Sequence, residues 1–158
     1  MKNRNNKFSK QVLQKFNQPG GLKSLIDILA HVDVRTKRNI LQNLEIQDPT
    51  LAEEIKRKLF LFEDIILVDD RGMQRLIKNF SVKELALGLK GTIAEVKDKF
   101  LSNMSRRMVN ILEDEMVVLG RVKKKDVEDM QQRIIKKIME LDAQKELLIM
   151  RPGEEYID

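Results

Sequence analysis

At 158 residues the chain is long enough for one or two small domains with a real core. It has no cysteine and a single histidine, His31, which excludes a disulfide framework and any Cys/His zinc site. The net charge of +5 stands on 35% charged residues of both signs, and the aromatics are six Phe and one Tyr, so the segregated basic face with stacking rings that suits nucleic acid is missing. No apolar run approaches the roughly 20 residues of a membrane span. Met1–Lys10 is basic and polar with no apolar stretch behind it, which is not the pattern of a secretory signal.

The periodicity is helical throughout, and Pro19, Pro49 and Pro152 all fall at breaks. Val12 and Phe16, four apart, predict a short helix over 9–16, stopped by the joint Pro19-Gly20-Gly21. A helix over 22–30 carries Leu25, Ile28 and Leu29 on one face. Asp33 is placed to N-cap the next, over 34–44, with Ile40, Leu41 and Leu44 inward. Asp48 followed by Pro49 is a strong helix start, and Leu51, Ile55 and Leu59 give that helix its stripe. Leu59-Phe60-Leu61-Phe62, followed by Glu63-Asp64, reads as a buried junction where a helix ends. Ile65–Val68 alternates like a strand but is too short and isolated to support a sheet.

Beyond the junction, Asp70 is the expected N-cap of a helix over 71–79. Ser81 with Glu84 and Thr92 with Glu95 form two capping boxes. Lys90-Gly91 ends the helix between them: the glycine supplies a left-handed cap, and the lysine complements the negative end of the helix dipole. Ser105 caps a helix reaching Leu119 and closed by Gly120. The longest helix, about 125–145, has Val127, Met130, Ile134, Ile138 and Leu141 as its stripe. The tail from 151 is polar and is expected to be unstructured. Leu51-Ala-Glu-Glu-Ile-Lys is echoed by Ile93-Ala-Glu-Val-Lys about forty residues on. That period is in the range of armadillo and HEAT units, although ordinary helix pairs produce such echoes too.

Counting about 100° per residue along 105–119, Met108, Ile111, Leu112, Met116 and Leu119 define a core face. Arg107 and Asp114, seven apart, point almost the same way, to the side of that face and about 10 Å apart along the axis. That is too far for a direct ion pair and suits an outward pattern of charge. Glu115 falls near the core direction and is expected to be partly buried against a cation of another helix. No catalytic residue, metal ligand or cofactor site is predicted. The chain lacks GxxxxGK[ST], a His-Glu helix motif and GxSxG, and its acidic pairs Glu53-Glu54 and Asp69-Asp70 are more simply caps and solvated faces.

Three strings in order, Asp69-Asp-Arg-Gly-Met-Gln-Arg75, Glu84-Leu-Ala-Leu-Gly-Leu-Lys-Gly91 and Asn103-Met-Ser-Arg-Arg107, resemble the C-terminal region of the FliG family, the flagellar motor-switch proteins of the bacterial rotor. That family shows a DDRxxQR helix start, an ELALALKG helix end and an NMSKR-type helix start at these spacings. The resemblance spans about 19–150. It implies an all-α fold of armadillo-like helical units in two blocks joined by a hinge: a linker helix region 1–18, an armadillo-like unit 19–60, a hinge 61–68, a charged stator-facing domain 69–150 and a tail 151–158. Leu59, Phe60, Leu61 and Phe62 are the hinge residues, with Leu59 in place of the family's Met. Leu25, Leu29, Ile40, Leu44 and Ile55 form a stacking face, expected to be partly uncovered unless the 9–16 helix folds back on it or a neighbour covers it.

The resemblance further implies that Lys90, Arg107, Asp114, Glu115 and Lys123 engage the charged cytoplasmic loop of the stator (MotA-like). Here Lys123 stands for a common Arg, and Arg121 stands for Pro. Further implied partners are other switch proteins (FliM-like) and neighbouring copies in the rotor ring. The implied setting is peripheral to the membrane, at the cytoplasmic face of the inner membrane in the flagellar basal body, with no nucleic acid bound. Complete members also carry an N-terminal domain docked on the membrane ring and a middle unit with an EHPQ motif. Neither string is seen in 1–158, and a fragment or shortened relative is expected. The rival reading is a basic helical-repeat module that binds nucleic acid.

Overall fold

The computed structural model describes residues 21–157, which are helical with no strand among them. The chain divides into two compact units, one up to Phe60 and the other from Leu61 onward. The first contains α1 (Gly21–His31), α2 (Val34–Gln47) and α3 (Pro49–Lys58). Asp33 caps α2 as its type and position require: the carboxylate accepts from the Thr36 N–H at 3.3 Å. Asp48 serves two helices. Its N–H donates to Leu44 O, ending α2, and its carboxylate accepts from the Leu51 N–H at 3.1 Å, starting α3 behind Pro49. α2 therefore runs three residues past its expected end.

Of the residues of the expected stacking face, Leu25, Leu29, Leu44 and Ile55 are buried, as are Leu41 and Ala52, and Ile40 is half-buried. One expectation about this unit changes. Ile28, expected beside them, is turned out, because it lies a full residue step from Leu29 around the helix. The expected 9–16 helix and the start of the Pro-Gly-Gly joint lie outside the described residues.

At the junction Leu59, Phe60 and Phe62 are buried and Leu61 is half-buried. Leu59 closes α3 through its N–H to Ile55 O. A 3-10 helix, Phe62–Leu67, follows; its Asp64 carboxylate accepts the Leu61 N–H at 2.8 Å. Burial pushes the Asp64 carboxyl above the usual carboxylate range, partly offset by that N–H. The strand-like Ile65–Val68 is thus mostly this 3-10 helix, and only Val68 pairs, in an isolated antiparallel bridge with Ile149.

The second unit is built from that 3-10 helix and from α4 (Asp70–Ile77), α5 (Val82–Gly88), α6 (Ala94–Leu101), α7 (Arg106–Leu119) and α8 (Lys124–Ala143). The whole predicted α8 stripe, Val127, Met130, Ile134, Ile138 and Leu141, is buried, and α8 packs on α4, α5 and the 3-10 helix. Ser105 caps α7 by accepting from Met108 N–H at 3.2 Å, and Gly120 closes it at φ +58°. Two caps differ from expectation. Asp69, not Asp70, starts α4; its Oδ1 accepts from the Gly72 N–H at 3.2 Å. Asp70, one step into the helix, instead receives Asn103 Nδ2 and Lys99 Nζ, each at 3.3 Å, which hold its carboxyl below the usual range. Thr92 does not cap α6, since its hydroxyl donates backward to Leu89 O at 3.0 Å; α6 starts after Ile93 with no side-chain cap.

After α8 the chain folds back as a strap, and the first sequence string holds it. Asp69 N–H donates to Leu148 O at 2.9 Å, Leu148 N–H returns to Asp69 Oδ1 at 3.0 Å, and Arg75 Nη1 donates to Glu146 O at 2.8 Å. Met150 N–H reaches Leu67 O at 2.7 Å, and Leu147 and Ile149 are buried. The tail, expected to lack structure, is without helix but is anchored: Arg151 N–H donates to the Tyr156 hydroxyl at 2.7 Å.

The Ser81–Glu84 capping box is present in full: Ser81 Oγ accepts from the Glu84 N–H at 3.1 Å, and Glu84 accepts from the Ser81 N–H at 3.0 Å. Glu84 also meets the Arg133 guanidinium of α8 at 2.7 Å. The Ser81 N–H first, then Arg133, hold its carboxyl below the usual glutamate range. A depressed folded pKa contributes stability that is fully present above the unfolded value, about 4.3, and is lost as pH falls through the folded value. Ser81→Ala is expected to cost about 1 kcal/mol near neutral pH. The stability gap between wild type and Glu84→Gln is expected to narrow on acidification below about pH 4 in denaturant titrations; a gap independent of pH would show that Glu84 acts through packing alone.

Candidate functional site

The predicted charges gather on and around α7. Its buried face centres on Leu112, its one fully buried residue, and α7 packs mainly on α5. Met108, Met116 and Leu119 are half-buried at the flanks. Ile111, expected in the core, lies about 100° around the helix from Leu112 and is exposed. Arg107 and Asp114 are both exposed, and neither makes an ion pair within 4 Å among the described residues. Glu115 is half-buried as expected, but among the described residues no Lys or Arg nitrogen comes within 4 Å of it. About 60° from Leu112 it reaches water, so it needs no buried partner.

Lys90 is brought in from just past the end of α5, 26 residues before its partner Met116. Gly91 has the expected left-handed backbone, φ +72°, and Lys90 follows the C-cap Leu89, while its side chain reaches to another helix. Its Nζ donates to Met116 O at 3.3 Å, on the last turn of α7, where backbone carbonyls lack helical partners. Lys90 is half-buried there and fixes the end of α5 to the half of α7 that carries Asp114 and Glu115. Lys123 is exposed at the N-cap of α8, just past Gly120, and makes no side-chain cap. Arg107, at the other end of α7, stands one helix length away.

The sequence reading missed Val117 and Val118, each 81% exposed. A signal for them was available: relative to Asp114 they fall within about 60°, on the side opposite Leu112. Chemically, α7 displays fixed charges of both signs and bare aliphatic groups, an arrangement for contact. An open cleft beside the strap is lined by Arg71, Arg75 and Lys145 against Asp69, Asp142 and Glu146, so its charges balance and select no ion. Among the described residues no cluster of three or more His, Asp or Glu could hold a metal, and no helix is long and apolar enough to cross a membrane.

The FliG C-terminal domain family is matched over residues 42–149. The chain is 42% identical over 142 residues to the flagellar motor switch protein FliG of Borreliella burgdorferi, covering 90% of this chain and 41% of that protein. It is 42% identical over 151 residues to FliG of Bacillus subtilis, covering 96% and 45%. It is 39% identical over 156 residues to FliG of Thermotoga maritima, covering 99% and 47%. The chain thus spans less than half the length of these relatives. Among solved structures, a crystal structure of FliG from H. pylori superposes with a TM-score of 0.60 at 34% identity, covering 82% of this chain and 61% of that one. Full-length FliG from Aquifex aeolicus gives 0.55 at 33% identity, covering 80% and 40%.

Proposed function

Because this chain belongs to the FliG family, matching its C-terminal domain, we propose that it acts as a non-enzymatic rotor component of the bacterial flagellar motor. The outward face of α7, with Arg107 and Asp114 near one azimuth, meets the charged cytoplasmic loop of the stator. Lys90, Glu115 and Lys123 complete the pattern around the C-terminal end of α7. Torque is passed by non-covalent attraction and release, and the junction Leu59–Phe62 acts as the hinge that reorients the pattern to reverse rotation. Other switch proteins and neighbouring copies are the remaining partners, at the cytoplasmic face of the inner membrane.

The observation that best supports this reading is that Arg107 and Asp114 are both exposed and form no ion pair among the described residues. A charge that stabilises its own fold is normally paired or buried. These two are surface charges whose exchange costs the fold little, about 0–1 kcal/mol. Arg107→Glu and Asp114→Lys are therefore each expected to impair swimming in cells carrying the full-length protein while leaving the helical CD spectrum and melting temperature nearly unchanged. A large fall in melting temperature for both would make them structural residues, and full motility of both would remove the stator role.

A further inference from the structure

We propose that the outward face of α7 is a helix-docking seam in which Ile111, Val117 and Val118 form a dry contact around the charged residues. The inference rests on the stator reading above and adds the kind of partner segment, an amphipathic α-helix. Taken from Asp114 at 100° per residue, Arg107, Asn110, Ile111, Asp114, Val117 and Val118 all lie within about 60°. All six are exposed. Their spacing alternates threes and fours, the repeat by which one helix lies along another.

Nothing in the fold accounts for this face. α7 already has a buried side, centred on Leu112, and Val117 and Val118 sit on the other side at 81% exposure. An extended loop would leave such a ridge only partly covered. A helix laid along it covers it continuously over about 16 Å, the rise from 107 to 118. Charge sets the partner's chemistry. Facing Arg107 it needs an acidic side chain, and facing Asp114 a basic one, with small or aliphatic groups opposite Ile111, Val117 and Val118. About three helical turns bury less than the roughly 1,200 Å² of a stable complex, so the seam suits a partner that engages and leaves, not a permanent second copy.

The apolar residues also answer a physical difficulty. Ion pairs in open water are weak and screened by salt. Ile111, next to Arg107 and Asp114 on the helix surface, and Val117 and Val118, next to Asp114, exclude water around these charges on contact, which lowers the local dielectric and strengthens them.

The test uses the full-length protein in motile cells. A benzophenone amino acid replaces Val118 or, as control, the exposed Gln132 of α8. Irradiation is expected to give an adduct with a stator subunit, identified by mass spectrometry, from position 118 and not from 132. The double variant Val117→Ser/Val118→Ser, both exposed and so expected to melt as wild type, should lower swimming speed, and should lower adduct yield from position 111 about tenfold, the effect of losing on the order of one buried aliphatic side chain. An adduct between two copies, or between position 118 and no stator subunit, overturns the seam. If the valine variant swims normally while Arg107→Glu and Asp114→Lys do not, the seam is wrong and the electrostatic reading stands. If all of these variants swim normally, both are wrong.

Discussion

Gly72→Ala is expected to be one of the most damaging single-methyl changes in this protein. A Cβ at 72 would run into Asp69 Oδ1 and would stand 2.8 Å from Leu147 Cγ and 3.2 Å from Leu147 Cα. The last of these is backbone, so no side-chain rotation relieves it. Asp69 cannot yield cheaply either: the same oxygen caps α4 through the Gly72 N–H and receives the Leu148 N–H of the strap. The methyl must displace the cap, the strap or both. Overpacking costs about 1–3 kcal/mol, and each lost hydrogen bond adds about 1 kcal/mol, so a total of about 2–4 kcal/mol is expected. Denaturant unfolding measures it. Hydrogen exchange should quicken first at Leu148 and Met150, whose N–H groups are held by Asp69 and Leu67. A variant as stable as wild type, with those amides still protected, would show that the strap is not held by close contact at Gly72.

Phe100→Ala is expected to cost about 3–5 kcal/mol, the usual loss for a fully buried Phe. Phe100 has no exposed surface and is the largest of the fully buried side chains. It sits on α6, which packs on the 3-10 helix and on α4, so the void would open between three short elements with few other contacts to fall back on. For a unit of about 100 residues each kcal/mol moves the melting point by roughly 4–8 °C, so a fall on the order of 15 °C or more should be seen. Phe100→Leu should recover much of it, because the volume is largely restored. A fall of only a few degrees for Phe100→Ala would mean that α6 collapses onto the space and that the site is less tightly packed than its burial indicates.

Both variants act on the frame that carries α7 and not on the charges α7 displays. Their motility defects should track the fraction folded at the growth temperature. Those of Arg107→Glu and Asp114→Lys should appear in fully folded protein. That separation tests the division of labour between the Asp69–Arg75 string, which holds the strap, and the face of α7, proposed to meet a partner.

Much of this was readable from residues in order, and what was readable is local. Asp33, Asp48-Pro49, Ser81 with Glu84, and Ser105 with Gly120 fix helix ends through bonds to neighbours three or four residues away, so composition and spacing suffice to place them. The stripe from Val127 to Leu141 named its own buried face, because a long helix with one apolar side has one way to be covered. The exposure of Arg107 and Asp114 followed from the same angular count.

Tertiary structure decided what depends on partners far along the chain. Whether Asp69 or Asp70 caps α4 is undetermined locally, since both are good caps; Leu148, 79 residues on, and the Asn103–Lys99 pair settle it by giving each carboxylate a different set of donors. Lys90 stands where a helix-end cation is expected, and its ammonium donates to Met116 O of another helix, a carbonyl that only the α5–α7 packing brings within its reach. Ile111 is apolar and is expected on the core face with Leu112. Only the packing of α7 mainly on one short helix, through Leu112, leaves Ile111 in water, because a helix with one main neighbour buries a narrow side and shows the rest.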